Sequence, residues 1–485
     1  MIFNSLTFLI FIFFVATTYW FLSVNNRLYL LFLCSITFYA FWKPVFALLM
    51  LFSAFIDFSM SLLIFQATKK KYKKLFLTIS LFSNLGLLFV FKYLYFFSNN
   101  LQNLLELLSI NYTIPLFNLI LPLGISFYTF QTISYTVDVY RGFIKPQKNF
   151  ILYGCYVTFF PQLVAGPILR ANEVIHQFIE KKKFNIKYIY VGIERILYGL
   201  FLKTCLADNL APIVDKGFLI PVSGLSAIDV WTLSFLFGFQ IYFDFSAYSH
   251  IAIGSAGLMG INFPENFNFP YISTSFKDFW KRWHISLSSW IRDYLYLPLN
   301  GLKVHDNSVG GLKINHSQNS NRKTISLFST WAIMGLWHGA NWTFIFWGLY
   351  HSTLIYFERR VYSILNIKLS KNTKIIGLVF TLPLAMLGWI PFRADSIEES
   401  LLMLVKVFRL SEYSFLGMRE NVYLIAAASL LLFFCGYIYM EKIKPFLFST
   451  KPSLFEFIKI VETTILIVLV FIFLRPINQF IYFQF

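Results

Sequence analysis

Arg322-Lys-Thr-Ile-Ser-Leu-Phe-Ser-Thr-Trp-Ala-Ile-Met-Gly-Leu-Trp-His-Gly-Ala-Asn-Trp-Thr-Phe-Ile-Phe-Trp-Gly-Leu-Tyr-His-Ser-Thr-Leu-Ile-Tyr-Phe-Glu-Arg-Arg360 is the stretch that decides the fold. Between its two basic pairs, residues 324–358 are apolar throughout. A single membrane crossing takes about 20 residues, so the stretch is too long for one. Positive charge marks cytoplasmic loops, and here both ends carry it. The pattern predicts a helical hairpin that enters the membrane, turns at Gly339-Ala340-Asn341 and returns, with His338 at the turn.

The rest of the chain agrees. Of 485 residues, 57% are hydrophobic and 13% charged, with 60 Phe. Soluble domains run at about 25% charged. Disorder needs the opposite composition. Long apolar stretches between short polar loops exclude a barrel, whose strands alternate over about 10 residues. The expected fold class is therefore all-α, polytopic and integral to the membrane. The net charge of +18 is concentrated in loops such as Lys69–Lys74 and Lys181–Lys183. That is the positive-inside signature, with membrane lipids as partners and no role for nucleic acid. Cys34, Cys155, Cys205 and Cys435 share no metal or redox spacing and read as small core residues.

Basic loops set the topology. Apolar spans are expected at 5–22, 28–41, 44–67, 75–97, 116–137, 188–207, 227–248, 375–393, 422–440 and 456–474, about ten full transmembrane helices. Both termini then fall outside the cytoplasm, and the first span is read as retained. Segment 150–170 is apolar with basic loops at both ends, so it is expected to be re-entrant or broken, interrupted by Pro161, Gly166 and Pro167. Residues 250–324 read as a cytoplasmic stretch whose Trp-, Lys- and Arg-rich middle forms interfacial helices. The chain divides into N-terminal helices 1–115, a core 116–400, C-terminal helices 401–474 and an extracytoplasmic aromatic tail 475–485.

Chemistry is expected first at His338. An ionisable side chain within the bilayer marks a function by default, and burial keeps imidazole neutral and able to accept a proton. Trp337 and Trp342 offer flat walls, and Asn341 would share a helical face with His338 if the helix continued. His284 is the second candidate, in Phe279-Trp-Lys-Arg-Trp-His-Ile-Ser-Leu-Ser288. There Lys281, Arg282 and Arg292 suit the phosphates of a cytosolic cofactor. The alternatives are a packing histidine for His338 and an interface anchor for the segment of His284. His176, His250, His305, His316 and His351 form no HxxxH or HExxH pattern, and no metal is expected. Phosphate loops, Rossmann fingerprints and G-x-S-x-G elbows are absent from the sequence. The tail Arg475-Pro-Ile-Asn-Gln-Phe-Ile-Tyr-Phe-Gln-Phe485 must bury its rings somewhere; Tyr482 is either a belt residue or a hydroxyl brought to a cavity.

Several blocks, in order across residues 120–395, resemble the membrane-bound O-acyltransferases, in particular their bacterial alginate O-acetylase-like branch. They are Pro122-Leu-Gly-Ile-Ser-Phe-Tyr-Thr-Phe-Gln, Phe160-Pro-Gln-Leu-Val-Ala-Gly-Pro-Ile-Leu-Arg170, Phe263-Pro-Glu-Asn-Phe, the block around Trp280–Tyr296, Leu336-Trp-His-Gly-Ala-Asn-Trp342 and Pro391-Phe-Arg393. Where relatives often read Asp-Phe-Ser-Gly-Tyr-Ser-Asp, this chain has Asp244-Phe-Ser-Ala-Tyr-Ser-His250. The resemblance implies that His338 matches the family's invariant histidine and His284 its second conserved polar position. It implies a central tunnel, with Trp337, Asn341, Arg170, Arg282 and Trp283 as substrate-facing residues, where a cytosolic acyl thioester (acetyl-CoA or an acyl-carrier protein) meets an acceptor from outside. Tyr482 becomes a candidate acyl acceptor.

On that basis the chain is expected to be an O-acyltransferase of the bacterial inner membrane. It would work with an extracytoplasmic SGNH-type O-acetyltransferase to esterify a cell-envelope polysaccharide, peptidoglycan before alginate. D-alanyl transfer to teichoic acid, a lipid or glycan flippase, and a scaffold without chemistry are the competing expectations.

Overall fold

The computed structural model describes residues 1, 3–164, 166–302, 320–365 and 371–474. Tyr482 and the rest of the tail lie outside the described residues, as do His305 and His316. Every regular element among the described residues is helical. In chain order these are α1 (Leu6–Phe21), α2 (Val24–Ala40), α3 (Pro44–Gln66), α4 (Lys70–Leu107, with a π-turn at Phe89–Tyr93), α5 (Ile125–Arg141) and α6 (Phe150–Thr158). There follow α7 (Ala171–Ile179), α8 (Ile186–Phe201), α9 (Asp208–Phe218), α10 (Ala227–Gly257), α11 (Phe276–Arg282) and α12 (Ile285–Ile291). The last group is α13 (Ser320–His338), α14 (Trp342–Ile364), α15 (Lys371–Leu387), α16 (Ile390–Arg393), α17 (Ile397–Lys406), α18 (Glu420–Ile438) and α19 (Pro452–Phe473).

Among the described residues, four stretches are long and apolar enough to cross a membrane by length and composition: Pro44–Gln66, Lys70–Leu107, Lys374–Arg393 and Glu420–Thr450. Of the other helices, α5, α6 and α10 are largely buried, whereas α19 buries only Val470. In α10 hardly a side chain is exposed, and it lies against α8, where Gly199 admits the Ala247 carbonyl. The sequence set α6 apart as broken, and its helix ends at Thr158, before Pro161. At about 1.5 Å per residue, nine residues are too short to cross.

The decisive hairpin is present. α13 ends at His338 and α14 begins at Trp342, capped by Asn341, whose side chain accepts from the Thr343 N–H. Two glycines let the arms touch backbone to backbone. A Cβ at Gly335 would strike the Phe344 carbonyl, and one at Gly348 the Trp331 carbonyl.

The Trp-rich middle of 250–324 is two-faced: Phe279, Trp280, Trp283 and Trp290 are buried against other rings, while Lys277 and Lys281 of α11 stay exposed. Three expectations are corrected. The expected helical face shared by His338 and Asn341 does not exist, because the chain leaves the helix between them; Asn341 is an exposed cap. Trp342 is likewise 50% exposed and donates to Asn100, so of the two tryptophans expected as walls Trp337 alone lines the histidine. Cys155 is buried, but Cys435 is exposed on α18 and is no core residue.

Candidate active site

His338 is the last residue of α13 and is 6% exposed. Its ring meets Trp337 and Trp347 edge-on at 5.0 Å and Phe392 of α16 at 5.3 Å. Trp337 stacks on Phe130 of α5 at 5.1 Å, and Phe130 stacks in turn on Trp290 at 3.8 Å. Four separate stretches of sequence thus build one aromatic wall: the hairpin, α5, α12 and α16. The α13 end is held from a fifth: Lys92, in the π-turn of α4, donates to the Trp337 carbonyl at 2.6 Å and to the His338 carbonyl at 3.0 Å.

His284 joins α11 to α12 and is 1% exposed. Its backbone is left-handed, with φ of 42°, an uncommon conformation for a residue with a Cβ. Asn266 holds it there. The Asn266 carbonyl accepts the Ile285 N–H, and Asn266 Oδ1 accepts from the Ser286 N–H, from Ser286 Oγ and from His284 Nδ1 at 3.2 Å. Because a backbone N–H can only donate, the Asn266 atom it meets must be the oxygen. His284 Nδ1 therefore carries the proton, and the neutral ring keeps its lone pair on Nε2. Burial pushes this imidazole down to about 3, so it is neutral at physiological pH. A lone pair cannot donate to an oxyanion, so the ring is suited to accept a hydrogen bond from a hydroxyl.

The two histidines belong to one site. Phe127 lies 6.4 Å from His284 and 5.8 Å from Trp337. Trp283 contacts Trp389 at 4.6 Å, which contacts Phe392 against His338.

The remaining expected residues separate. Trp283 is 3% exposed, packed between Phe279 and Trp389 in the aromatic wall. Arg282 is tied to Asp278 at 3.1 Å and to the Asn268 carbonyl, so it braces its own helix. Arg170 pairs with Asp293 at 2.5 Å; Arg292 and Arg141 reach the same residue, and both Arg141 and Arg170 lie over the Tyr294 ring. Three guanidinium groups there face three carboxylates: Asp293, Asp138, which accepts from Tyr294, and Glu173, which accepts from the Arg170 N–H. Asp244, in the departing block, is paired with buried Lys203 at 2.7 Å.

Sequence reasoning passed over Lys92, Asn266 and His351. His351 is fully buried, with Trp280 and Trp347 both 5.0 Å away, and neither of its nitrogens has a hydrogen-bond partner among the described residues. It was set aside because spacing along the chain showed no ligand pattern. Proximity to Trp347, which also touches His338, exists only in three dimensions.

The profile of the membrane-bound O-acyltransferase family matches residues 147–390, which contain both histidines and the whole hairpin. The chain is 35% identical to the "Probable alginate O-acetylase" of Azotobacter vinelandii, over 85% of this chain and 79% of that protein. It is 36% identical to the peptidoglycan O-acetyltransferase of Helicobacter pylori, over 77% of this chain and 72% of that protein. The teichoic acid D-alanyltransferase of Bacillus subtilis is more distant, at 30% identity over 57% of this chain and 70% of that protein.

Proposed function

This chain belongs to the membrane-bound O-acyltransferase family and is an integral membrane O-acyltransferase, and from that premise we propose that it moves an acetyl group from a cytosolic thioester to a cell-envelope polysaccharide outside. The observation that carries this reading is His338, a buried imidazole at the turn of the α13–α14 hairpin, walled by aromatic rings that continue through Trp389 to Trp283 beside His284.

The donor, acetyl-CoA or an acyl-carrier protein, docks at the cytoplasmic face near Arg141, Arg170 and Arg292, where guanidinium groups suit phosphate. A central tunnel leads its acyl carbon to His338. The neutral imidazole takes the proton of an acceptor hydroxyl as that oxygen attacks the thioester carbonyl, which is general-base catalysis. Before the attack the hydroxyl donates its single hydrogen to His284 Nε2, which orients it, and it then turns that hydrogen to His338. The imidazolium of His338 returns the proton to the departing thiolate, and the thiol leaves to the cytosol. The Tyr482 hydroxyl is the proposed first acceptor, and an extracytoplasmic SGNH-type acetyltransferase passes the group on. In this arrangement about ten helices span the inner membrane with both termini outside.

Peptidoglycan is the acceptor we favour, supported by the Helicobacter relative; the alginate O-acetylase relatives support an exopolysaccharide as the second reading. Mild base releases ester-linked acetate, and assigning it to muropeptides or to exopolysaccharide decides between them. His338→Ala should abolish that acetate at unchanged expression; retained acetylation removes His338 as the base. Radiolabelled acetyl-CoA should label the purified protein and fail to label Tyr482→Phe. Label unaffected by Tyr482→Phe excludes the carrier step, and a flippase would take up no label.

A further inference from the structure

We propose that Lys92 is a positioning residue for acyl transfer, its ammonium clamping the two peptide carbonyls from which the His338 side chain is aimed. This rests on the acyl-transfer reading above and adds a residue to its machinery. The last carbonyls of a helix have no partner within it. At the end of α13 two of them belong to Trp337 and His338, which are 3% and 6% exposed. Buried carbonyls need a donor. The three-residue turn uses its own groups elsewhere: the Asn341 N–H goes to the Gly339 carbonyl, and the Asn341 side chain caps α14. The donor comes from a different helix, as Lys92 Nζ at 2.6 and 3.0 Å.

A neutral amide or hydroxyl would satisfy the same two oxygens. An ammonium taken out of water costs several kcal/mol more, and in a membrane helix such a charge marks function by default. Its place here is favourable, because a helix C-terminus carries partial negative charge, and the Trp337 ring lies 5.8 Å beneath it. Charge-assisted hydrogen bonds are about twice as strong as neutral ones. Two of them at adjacent peptides hold the plane of the chain where the imidazole begins.

The π-turn of α4 is what brings Lys92 there. One face of α4 carries Ser80 and Asn84 into a network with Asp57. The wider turn at Phe89–Tyr93 re-aims the helix, so that Lys92 meets α13 instead. Single π-turns within α-helices recur at functional sites.

The test uses the full chain in lipid nanodiscs, with acetyl-CoA as probe and single-turnover thiol release as signal, on monodisperse folded protein; kcat is the limiting rate of that release and KM the acetyl-CoA concentration that gives half of it. Lys92→Gln keeps a donor but removes the charge. Its kcat should fall about 100-fold, the scale of a 1 Å misplacement, with the KM for acetyl-CoA unchanged. Lys92→Arg keeps the charge on a broader head and should lose about 10-fold in kcat, again at constant KM. A folded Lys92→Gln within twofold of wild-type kcat overturns the inference. If Lys92→Gln does not fold, Lys92→Arg decides: reduced kcat at constant KM supports the role, and wild-type kcat overturns it. His338→Ala is run alongside. Its inactivity beside an active Lys92→Gln sinks only the clamp, whereas an active His338→Ala sinks the acyl-transfer reading itself.

Discussion

The helix α4 has two buried polar neighbourhoods, one on each side of its π-turn, and they are built on opposite plans. Below the turn, Asp57 of α3 is fully buried and accepts from Ser80 Oγ and from Asn84 Nδ2 at 2.7 Å, while Asn84 Oδ1 accepts from Ser53 and from Thr132 of α5. Each polar group answers another, and three helices are locked together. Above the turn, His338 is surrounded by Trp337, Trp347 and Phe392, whose faces exclude water and compete for no proton. A closed network stabilises a fold because its hydrogen bonds are all made within it. A ring-lined site holds its imidazole in place by packing. On the proposed function, the difference separates a buried carboxyl that serves architecture from a neutral imidazole that serves catalysis.

That contrast can be broken by mutation. The largest effect is expected for His338→Ala, a loss of about 10³–10⁴-fold in thioester turnover with thermal unfolding little changed. The converse is expected for Asp57→Ala. It leaves Ser80 and Asn84 without their acceptor and should cost about 3 kcal/mol of stability, read by denaturation in detergent, while turnover per folded molecule stays at wild-type level. If Asp57→Ala instead loses turnover at full stability, the two neighbourhoods are not distinct. His284→Ala sharpens the comparison from the other side. We expect about 100-fold lower turnover, and His284→Gln, which also presents an acceptor, should recover part of it. Equal loss in both variants would show that the left-handed turn, not the Nε2 lone pair, is what matters. The smallest effect is expected for Arg170→Ala. With Arg141 and Arg292 still beside Asp293, the KM for acetyl-CoA should rise about threefold with kcat constant; a fall in kcat would move this cluster from docking into the reaction.

The parts of the site that were legible in the sequence are those encoded by neighbours along the chain. His338 was found because length, flanking charge and an apolar run are local properties, and a histidine inside such a run stands out. His284 was found beside its cations, but its orientation was not. The Asn266 side chain that assigns its proton is eighteen residues away and meets it only across a fold. Asn341 was misplaced because helical spacing assumes the helix continues, and here it stops one residue after Trp337. Lys92 was counted among the apolar residues of a span, since nothing within α4 announces a partner on α13.

The amino-acid sequence by itself determined that this chain is helical, spans a membrane and turns back on itself at Gly339-Ala340-Asn341, because hydrophobicity over about 20 residues and charge at the flanks act through the solvent and need no tertiary contact. Only the tertiary structure decided which rings wall His338, which tautomer His284 holds and which cation clamps the end of α13. Those depend on atoms about 3–6 Å apart that lie up to 246 residues apart in the chain, and their pairing energy exists only once the helices have packed.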